Sequence, residues 1–225
     1  MIVCEPSELN GTQSPVSVPA ISTPGPVFNT EYCTDLTAIY EDFISLCIWS
    51  PPVCKERELY ARELAKKGFH FRGEISVTDD PDDLQLFPKG PGESQLTLWV
   101  RELANMYATL FGLNSVGLRI SGVSRPMCPK FHVDHVPVRL VQSLSGDGSD
   151  WYSNPDYFSA NVQERDSLSH WLKSAATCSP AHIHQAPSGA VVLMKGTKWA
   201  FKGNPVIHRS PAHNKTRLVL SMDFV

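Results

Sequence analysis

Two side chains with metal-binding chemistry lie two positions apart, in the run FHVDH at 131–135. In an extended chain, residues two apart point to the same face, so His132 and Asp134 can converge on one point. An imidazole and a carboxylate make a mixed nitrogen and oxygen ligand set, which suits Fe(II), Mn(II) or Zn(II). The run therefore predicts a metal site at the start of a strand-like segment. His135, one residue further, is expected to face away from it.

A third ligand is expected on another strand well downstream, and His208 in the run VIHRSP is the best candidate. Two histidines and one carboxylate leave three neighbouring coordination positions open, an arrangement used by non-haem iron oxygenases. Nine residues later, Arg217 opens the apolar run LVLSM. An arginine on that next strand can bind a carboxylate through two parallel hydrogen bonds. The sequence thus predicts His208 as the third ligand and Arg217 as an anion-binding residue.

Further histidines and a cysteine leave a second interpretation open. His182 and His184 form an H-x-H pair of the cupin type, although they follow a predicted helix and a loop position is the alternative. Cys128, four residues before the H-x-D triplet, is either a ligand or a structural thiol. With His132, Asp134 and His135, these residues would suit a closed zinc site in a non-catalytic protein. A cupin-type isomerase or a thiol dioxygenase is a third possibility. Open positions beside Arg217 favour oxygen chemistry, and four ligands favour zinc storage or structure.

The elements that must hold these residues change character along the chain. Apolar residues at three- and four-residue spacing predict helices in the first half, and short β-branched runs between Gly, Pro and Asn predict strands in the second. The predicted helices cover residues 36–48, 53–67, 94–111 and 166–176. The predicted strands cover residues 69–77, 116–123, 131–144, 190–195, 206–208 and 218–225. Helices followed by strands favour an α+β fold in which helices buttress an antiparallel barrel or sandwich.

One domain with an N-terminal extension accounts for the chain length. Residues 1–30 are rich in Pro and Ser and are expected to form a flexible arm that is dispensable for folding up to about residue 28. The remainder, 31–225, is predicted to be a single domain with a helical section, 34–112, and a strand-rich section, 116–225. The stretch 145–181 is long for a turn and mixes glycines with aromatic residues, so it is a candidate substrate lid.

Composition narrows the partners and the compartment. The net charge of −3 gives no reason to expect nucleic acid or an anionic membrane as partner, and no apolar run is long enough for a membrane helix. The acidic start lacks any Lys or Arg before Lys55, unlike secretory or transit peptides, so a cytoplasmic protein with a small-molecule substrate is expected. The six cysteines contain no C-x-x-C pair and are expected to be reduced thiols; the oligomeric state stays open.

The order H-x-D, distal His and then Arg about ten residues later resembles the iron(II)- and 2-oxoglutarate-dependent dioxygenases. The runs VGLRISGV and GAVVL resemble the strands that precede the metal motif and the distal His of those enzymes. More closely, the phrases CPKFHVDHVPVRL, GAVVLMKG and HRSPAHNKTRLVLSMDF resemble a family catalogued as domain of unknown function 1826, over about residues 96–225. That closer resemblance brings no established activity with it.

The dioxygenase resemblance implies a double-stranded β-helix, a jelly-roll barrel of the cupin type, buttressed by the N-terminal helices. It implies Fe(II) bound by His132, Asp134 and His208, with Arg217 holding the distal carboxylate of 2-oxoglutarate. The implied activity is a hydroxylase-type oxidation of a small-molecule substrate. The alternative that remains is a non-catalytic, zinc-handling protein on a cupin-like barrel.

Overall fold

Two β-sheets carry the residues singled out above, in a computed structural model that describes residues 26–76, 85–160, 162, 165–212 and 215–225. Most of the predicted arm, residues 1–25, lies outside the described residues. So do residues 77–84 of the predicted helical section and residues 161, 163 and 164 of the predicted lid. Among the described residues, no helix combines the length and the hydropathy needed to cross a membrane.

Two long helices stand where the sequence predicts them. Helix α1 covers Lys55–Lys66, and helix α2 covers Glu93–Phe111 and ends at Gly112. The predicted helix over 36–48 is wrong in its second half. A 3₁₀ helix covers Cys33–Tyr40, whereas Leu46–Trp49 forms strand β2 with all four residues buried. A short, continuous apolar run fits a buried strand and a buried helix equally well, so periodicity could not separate them.

The strands follow the order of the chain. After β2 they are β3 His70–Ser76, β4 Ser115–Val123, β5 Val138–Ser145, β6 Asp150–Tyr152, β7 Ile183–Gln185, β8 Val191–Lys195, β9 His208–Arg209 and β10 Arg217–Asp223; β1, Val27–Thr30, precedes them all. Because β1 pairs with β2, the sheet begins inside the stretch 1–30 that the sequence assigns to the arm. The predicted strand over 131–144 begins only at Val138, directly after Pro137, which has no N–H to donate to a ladder.

Strand order makes the fold a mixed α+β arrangement around a large, mostly antiparallel sheet. Seven strands pair in the order β1-β2-β8-β5-β10-β4-β3, and only β1-β2 is parallel. A second sheet has the order β7-β6-β9, and an isolated bridge between His132 and His208 extends its β9 edge. From β4 onward the chain passes repeatedly from one sheet to the other. No ladder between the described strands joins the two sheets into one closed barrel.

The two faces of the large sheet have different environments. Alternate residues of β10, including Leu218 and Leu220, join the main core, and α1 packs against β4, β5 and β10. The intervening residues of β10 face the small sheet, around which α3, Pro155–Ser159, and α4, Arg165–Thr177, pack a separate cluster. The helices therefore support one face of the sheet and leave the other available for a site. All five cysteines in the described part of the chain are free thiols.

One buried lysine stands at the end of β8. The Lys195 side chain is almost fully buried, and its Nζ donates to the carbonyl oxygens of Glu41 and Lys202, each at 3.0 Å. It also lies 5.1 Å from the ring centroid of Trp199. Burial lowers the pKa of Lys195 to about 8, and the nearby Cys47 only partly opposes this effect. Folding therefore places a cost on the ammonium form of this side chain at neutral pH.

This cost predicts a pH dependence of stability. Because the pKa of Lys195 is about 8 in the folded chain and 10.5 for an ordinary lysine, the unfolded state binds more protons between these two pH values. The free energy of unfolding of the wild type should therefore rise, relative to Lys195→Met, by about 1–3 kcal/mol from pH 8 to pH 10.5. Thermal melts of both proteins across this range measure it. Parallel pH profiles would show that the ammonium carries no burial cost.

A pair of truncations tests where the folded unit begins. A chain starting at residue 26 keeps β1 and is expected to melt at the same temperature as the full chain, because residues 1–25 are too polar and Pro-rich to bury a core. A chain starting at Glu31 loses β1 and uncovers the edge of β2, so it should melt lower. Calorimetry of the two truncations gives the comparison. If the chain starting at residue 26 does not fold, the arm is part of the core.

Candidate metal centre

A reciprocal pair of backbone hydrogen bonds joins two of the predicted ligands. The His132 N–H donates to the His208 carbonyl at 3.0 Å, and the His208 N–H donates to the His132 carbonyl at 2.9 Å. Residues paired in this way present their side chains on the same face of the sheet. The two imidazole centroids accordingly lie 4.4 Å apart. The contact joins β9 to the segment that precedes β5, two parts of the chain that are far apart in sequence.

Asp134 is held from the other side, by the turn that follows β8. The Thr197 N–H donates to the Asp134 carbonyl at 2.9 Å, and the Gly196 N–H donates to the Pro137 carbonyl at 2.8 Å. Gly196 permits this approach, because a Cβ there would lie 2.2 Å from the Val136 carbonyl oxygen and 2.8 Å from that of Asp134. The irregular stretch between His132 and β5 is thus fixed by backbone contacts at both ends.

The three side chains converge as the sequence predicts. Asp134 Oδ1 lies 3.9 Å from His132 Nε2, and Asp134 Oδ2 lies 3.4 Å from His208 Nε2. One ligand atom of each residue lies within 4.8 Å of the others. Two donors that each lie about 2.1 Å from one ion are roughly 3.0–3.5 Å apart at right-angled to tetrahedral geometry. The group therefore has nearly the spacing that one small cation requires.

Backbone carbonyls fix the tautomers of both imidazoles. His132 Nδ1 lies 3.0 Å from the Lys130 carbonyl, and His208 Nδ1 lies 3.0 Å from the Val206 carbonyl. A carbonyl oxygen can only accept, so each Nδ1 carries the proton and each neutral ring keeps its lone pair on Nε2. Burial lowers the pKa of His208, against the opposing charge of Asp134, which favours the neutral, ligating form. Such contacts are those that orient metal-binding histidines.

The two carboxylate oxygens of Asp134 have different environments. Oδ1 accepts a hydrogen bond from Arg139 Nη1 at 2.6 Å, whereas Oδ2 is buried and has no hydrogen-bond donor. Only one other buried side-chain polar atom in the described residues lacks a partner, the Trp151 Nε1, whose residue pairs with His208 in the small sheet. A buried carboxylate oxygen without a donor is costly. The residues present therefore fit a cation bound by Asp134 Oδ2 and the two Nε2 atoms.

Arg139 connects Asp134 to the large sheet. Its Nε and Nη2 donate to the two carboxylate oxygens of Asp223 on β10, at 2.6 and 3.0 Å, while its Nη1 holds Asp134. Burial would lower the pKa of Arg139, but the hydrogen bonds to Asp223 and the charges of both aspartates outweigh it and raise that pKa. The guanidinium is therefore a fixed cation that sets the orientation of the Asp134 carboxylate. The local sequence gives no sign of this role, because Arg139 and Asp223 are 84 positions apart.

Arg217 is buried at the opposite end of the same β10 face. Its Nη1 donates to the Asp147 carbonyl at 3.0 Å, and no ion pair with a carboxylate is present among the described residues. Burial lowers the pKa of Arg217, partly offset by the charges of Asp147 and Asp150. Gly146 lets the chain pass over it, because a Cβ there would lie 2.9 Å from Arg217 Cγ. Asp223, further along the same strand, does not pair with Arg217, because Arg139 holds its carboxylate.

A cavity of about 340 Å³ connects these groups. Both imidazoles, Arg139 and Arg217 contribute to its walls. The remaining lining residues come from β3, β4, β5, β10 and the loops beside the small sheet: His70, Arg72, Arg119, Ser121, Met127, Cys128, Val141, Ser149, Arg209, Ser210, Val219 and Ser221. Arg209, which follows the distal histidine, is balanced by Asp150 at 3.1 Å.

The other candidate ligands lie elsewhere. His135 Nδ1 is 2.7 Å from Thr197 Oγ1, and His135 lines a different cavity, as its place after Asp134 predicts. His182 contacts the Ser153 carbonyl, and His184 stacks on Trp151 with ring centroids 5.5 Å apart. Cys128 lines the cavity but does not belong to the group of possible ligands found among the described residues. That group consists of His132, Asp134 and His208.

Comparisons with solved structures give low similarity. A C-terminally truncated protein of Neurospora crassa, solved in apo form, has 12% identity and a TM-score of 0.45, covering 95% of this chain and 99% of that chain. A dioxygenase for auxin oxidation from rice has 13% identity and a TM-score of 0.44, with coverage of 90% and 83%. The Fe(II)/α-ketoglutarate-dependent dioxygenase TqaL has 11% identity and a TM-score of 0.38, with coverage of 76% and 74%. At these TM-scores the likeness has no bearing on the chemistry of this chain.

Sequence comparison is more decisive. No curated protein gives a significant match. The profile of a family of proteins of unknown function, DUF1826, matches residues 30–223, which includes the H-x-D triplet, the distal histidine and Arg217. The match is longer than the resemblance over residues 96–225 and takes in both N-terminal helices. Because the family profile matches most of the length of the chain, the chain belongs to the DUF1826 family.

Proposed function

We propose that this protein is a non-haem iron(II)- and 2-oxoglutarate-dependent oxygenase. The observation that carries the proposal is the buried Asp134 Oδ2, which has no hydrogen-bond donor and lies 3.4 Å from His208 Nε2. That atom needs a cation, and the fixed tautomers supply two neutral nitrogens beside it. The mixed nitrogen and oxygen set matches the two-histidine, one-carboxylate arrangement of iron oxygenases.

The strand connections support a double-stranded β-helix. From β4 to β10, the large sheet receives β4, β5, β8 and β10, while the small sheet receives β6, β7 and β9. The His132–His208 bridge adds the segment before β5 to the small sheet as a further position. In a jelly roll, the chain passes back and forth between two antiparallel sheets that face each other. We infer that the strand-rich section is such a barrel, with the helices as its buttress.

The number of ligands favours catalysis over metal storage. Structural zinc sites are closed by four protein ligands, whereas catalytic metal sites keep positions open. His135, His182 and His184 have other partners, and the described residues offer three ligands. A cation held here would face the cavity with open positions. The non-catalytic zinc interpretation therefore needs a fourth ligand that no other described histidine supplies.

Each residue of the cavity then has a separate task. Bound iron would supply oxygen activation, with 2-oxoglutarate as the co-substrate that provides the electrons. Arg217, buried and without a carboxylate partner among the described residues, would bind the distal carboxylate of 2-oxoglutarate through its planar fork. Arg139 would keep Asp134 Oδ1 occupied and so direct Oδ2 toward the ion. It is a positioning residue, because it acts through Asp134.

The segment 145–181 would border the substrate entrance. It contributes β6, whose Trp151 pairs with His208, and the helices α3 and α4, which pack around the small sheet. Parts of the segment are therefore framework rather than a free loop. We propose that its described connections next to β6 act as the lid, since they join the small sheet to helices that pack in a cluster separate from the main core.

The metal assignment is tested by single substitutions. His132→Ala, Asp134→Ala and His208→Ala should each abolish stoichiometric Fe(II) binding, because each removes one of three ligands. His135→Ala, which alters a neighbouring imidazole bonded to Thr197, is the matched control and should bind Fe(II) normally. Anaerobic reconstitution followed by metal analysis gives the stoichiometry.

Stability gives an independent readout of the same assignment. An ion present at about a hundred times its Kd stabilises the folded state by about 2.7 kcal/mol, so Fe(II) should raise the Tm of the wild type and of His135→Ala. The three ligand variants should melt at temperatures that Fe(II) leaves unchanged. An Asp134→Ala protein carrying one equivalent of iron would contradict the assignment.

The role of Arg217 is tested by a substitution that keeps its charge. Arg217→Lys loses the bidentate fork and should weaken 2-oxoglutarate binding at least tenfold, or about 1.4 kcal/mol, while Fe(II) remains bound. Arg209→Lys is the matched control, because Arg209 lines the same cavity but is already paired with Asp150. The absorption band of the Fe(II)–2-oxoglutarate complex measures the affinity.

Two results would reject the oxygenase proposal or part of it. Wild-type protein loaded with Fe(II) that has no affinity for 2-oxoglutarate would remove the oxygenase function and leave a metal-binding protein. Equal 2-oxoglutarate affinities of Arg217→Lys and Arg209→Lys would place the co-substrate carboxylate elsewhere.

A further inference from the structure

Two arginines face each other on the cavity side of the large sheet. Arg72 on β3 and Arg119 on β4 are direct cross-strand partners in an antiparallel pair. Directly paired residues present their side chains on the same face, with Cβ atoms about 5 Å apart, and like charges placed there destabilise the sheet. Both arginines line the cavity that contains His132 and His208. The sheet therefore carries a repulsive pair at this position.

The charges around the cavity leave this pair unbalanced. Its lining residues include five arginines and no carboxylate. Arg139 is balanced by Asp134 and Asp223, and Arg209 by Asp150. The carboxylate of Asp223 lies 3.7 Å from Arg119 Nη2, but it is already hydrogen-bonded to Arg139.

Arg72 has no better partner. Glu74 lies two residues along β3 from it, and among the described residues no ion pair joins the two. Once Arg217 binds a co-substrate carboxylate, Arg72 and Arg119 are the two arginines of the lining that still lack a full counter-charge.

Position along β10 separates this pair from Arg217. Arg217 is opposite Val123 of β4, whereas Arg119 is opposite Ser221. The two points of β10 are separated by four residue steps, a distance of roughly 13 Å. Asp223, whose partner Arg139 also holds Asp134, lies beyond Ser221. Arg217 and the paired arginines therefore occupy different ends of the cavity.

We propose that Arg72 and Arg119 bind an oxyanion, a carboxylate or a phosphate group, of the substrate. That the anion belongs to a substrate rests on the proposed function. That the two arginines bind an anion rests on the cross-strand pair and the unbalanced charge. Guanidinium groups bind both kinds of oxyanion through two parallel hydrogen bonds. An oxyanion between the two arginines would replace their repulsion by two attractive contacts. The substrate class is thus a small molecule with at least one anionic group at a distance from the oxidised position.

Anion titration of the loaded protein tests this proposal. Protein holding Fe(II) and saturating 2-oxoglutarate, without oxygen and at constant ionic strength in chloride, is titrated with inorganic phosphate and, separately, with acetate. One of them should saturate a single site, and which one does so identifies the group. Its affinity should fall at least tenfold in Arg72→Gln and in Arg119→Gln. Arg62→Gln, which removes an exposed arginine of α1, is the matched control and should bind as the wild type does.

A stability readout separates a functional pair from a structural one. Without an anion, Arg72→Gln should melt about 1–3 °C above the wild type, because it removes a like-charge cross-strand pair. Arg119→Lys keeps the repulsion and should not gain stability. Saturating anion should raise the Tm of the wild type more than that of either Gln variant. A lower Tm of anion-free Arg72→Gln would show that the arginine serves the fold.

The outcomes distinguish this inference from the proposed function. If neither anion saturates a site, or if Arg119→Gln binds as Arg62→Gln does, the inference is overturned while 2-oxoglutarate binding still stands. If the wild type does not bind 2-oxoglutarate but phosphate or acetate affinity still falls tenfold in Arg119→Gln, the oxygenase proposal fails and the anion site stands.

Discussion

The shared guanidinium of Arg139 is the interaction on which the candidate site depends. Its three donor groups join Asp134, in an irregular segment, to Asp223, at the end of β10. Without it, the buried carboxylate of Asp134 would lose its hydrogen-bond donor and its arginine partner, and a buried charge left uncompensated in this way costs several kcal/mol. Because Arg139 also binds Asp223, that carboxylate does not fully neutralise Arg119, which lies 3.7 Å from it. The guanidinium of Arg139 thus orients the Asp134 carboxylate and leaves Arg119 without a full counter-charge.

The burial of Asp134 Oδ2 is energetically costly unless a cation contacts that oxygen. A half-satisfied polar network is less stable than an apolar core, since a desolvated oxygen loses its water and gains nothing. His208 does not offset this cost as an imidazolium, because burial lowers its pKa and its Nδ1 proton is given to Val206. The backbone contacts of Gly196 and the His132–His208 bridge nevertheless hold the three side chains together. The fold therefore maintains a costly arrangement, as metal and active sites commonly do.

The sequence predicted the convergence of His132, Asp134 and His208 better than the framework around them. His132 and Asp134 converge although their segment is not a regular strand. Backbone hydrogen bonds to His208 and Thr197 hold them in place of the strand pairing that the sequence pattern predicted. Helices α1 and α2 could be predicted because an amphipathic period of about 3.6 is a local signal. Strand β2 and the three-residue strands β6 and β7 could not, since their existence depends on partners far away in sequence. The Arg139–Asp223 contact spans 84 positions and leaves no local mark.

Net charge also concealed the electrostatics of the cavity. A formal charge of −3 gave no reason to expect nucleic acid or an anionic membrane as partner, yet the cavity is lined by five arginines and no carboxylate. The potential in a cleft follows the charges on its walls, which low-dielectric surroundings screen little, and not the sum over the molecule. On β10, alternation places Leu218, Leu220 and Met222 in the core and Arg217 and Asp223 on the opposite face, where Arg217 lines the cavity. The same period of two that builds the apolar layer therefore places charged side chains on the opposite face, where Arg139 balances Asp223 and Arg217 has no carboxylate partner among the described residues.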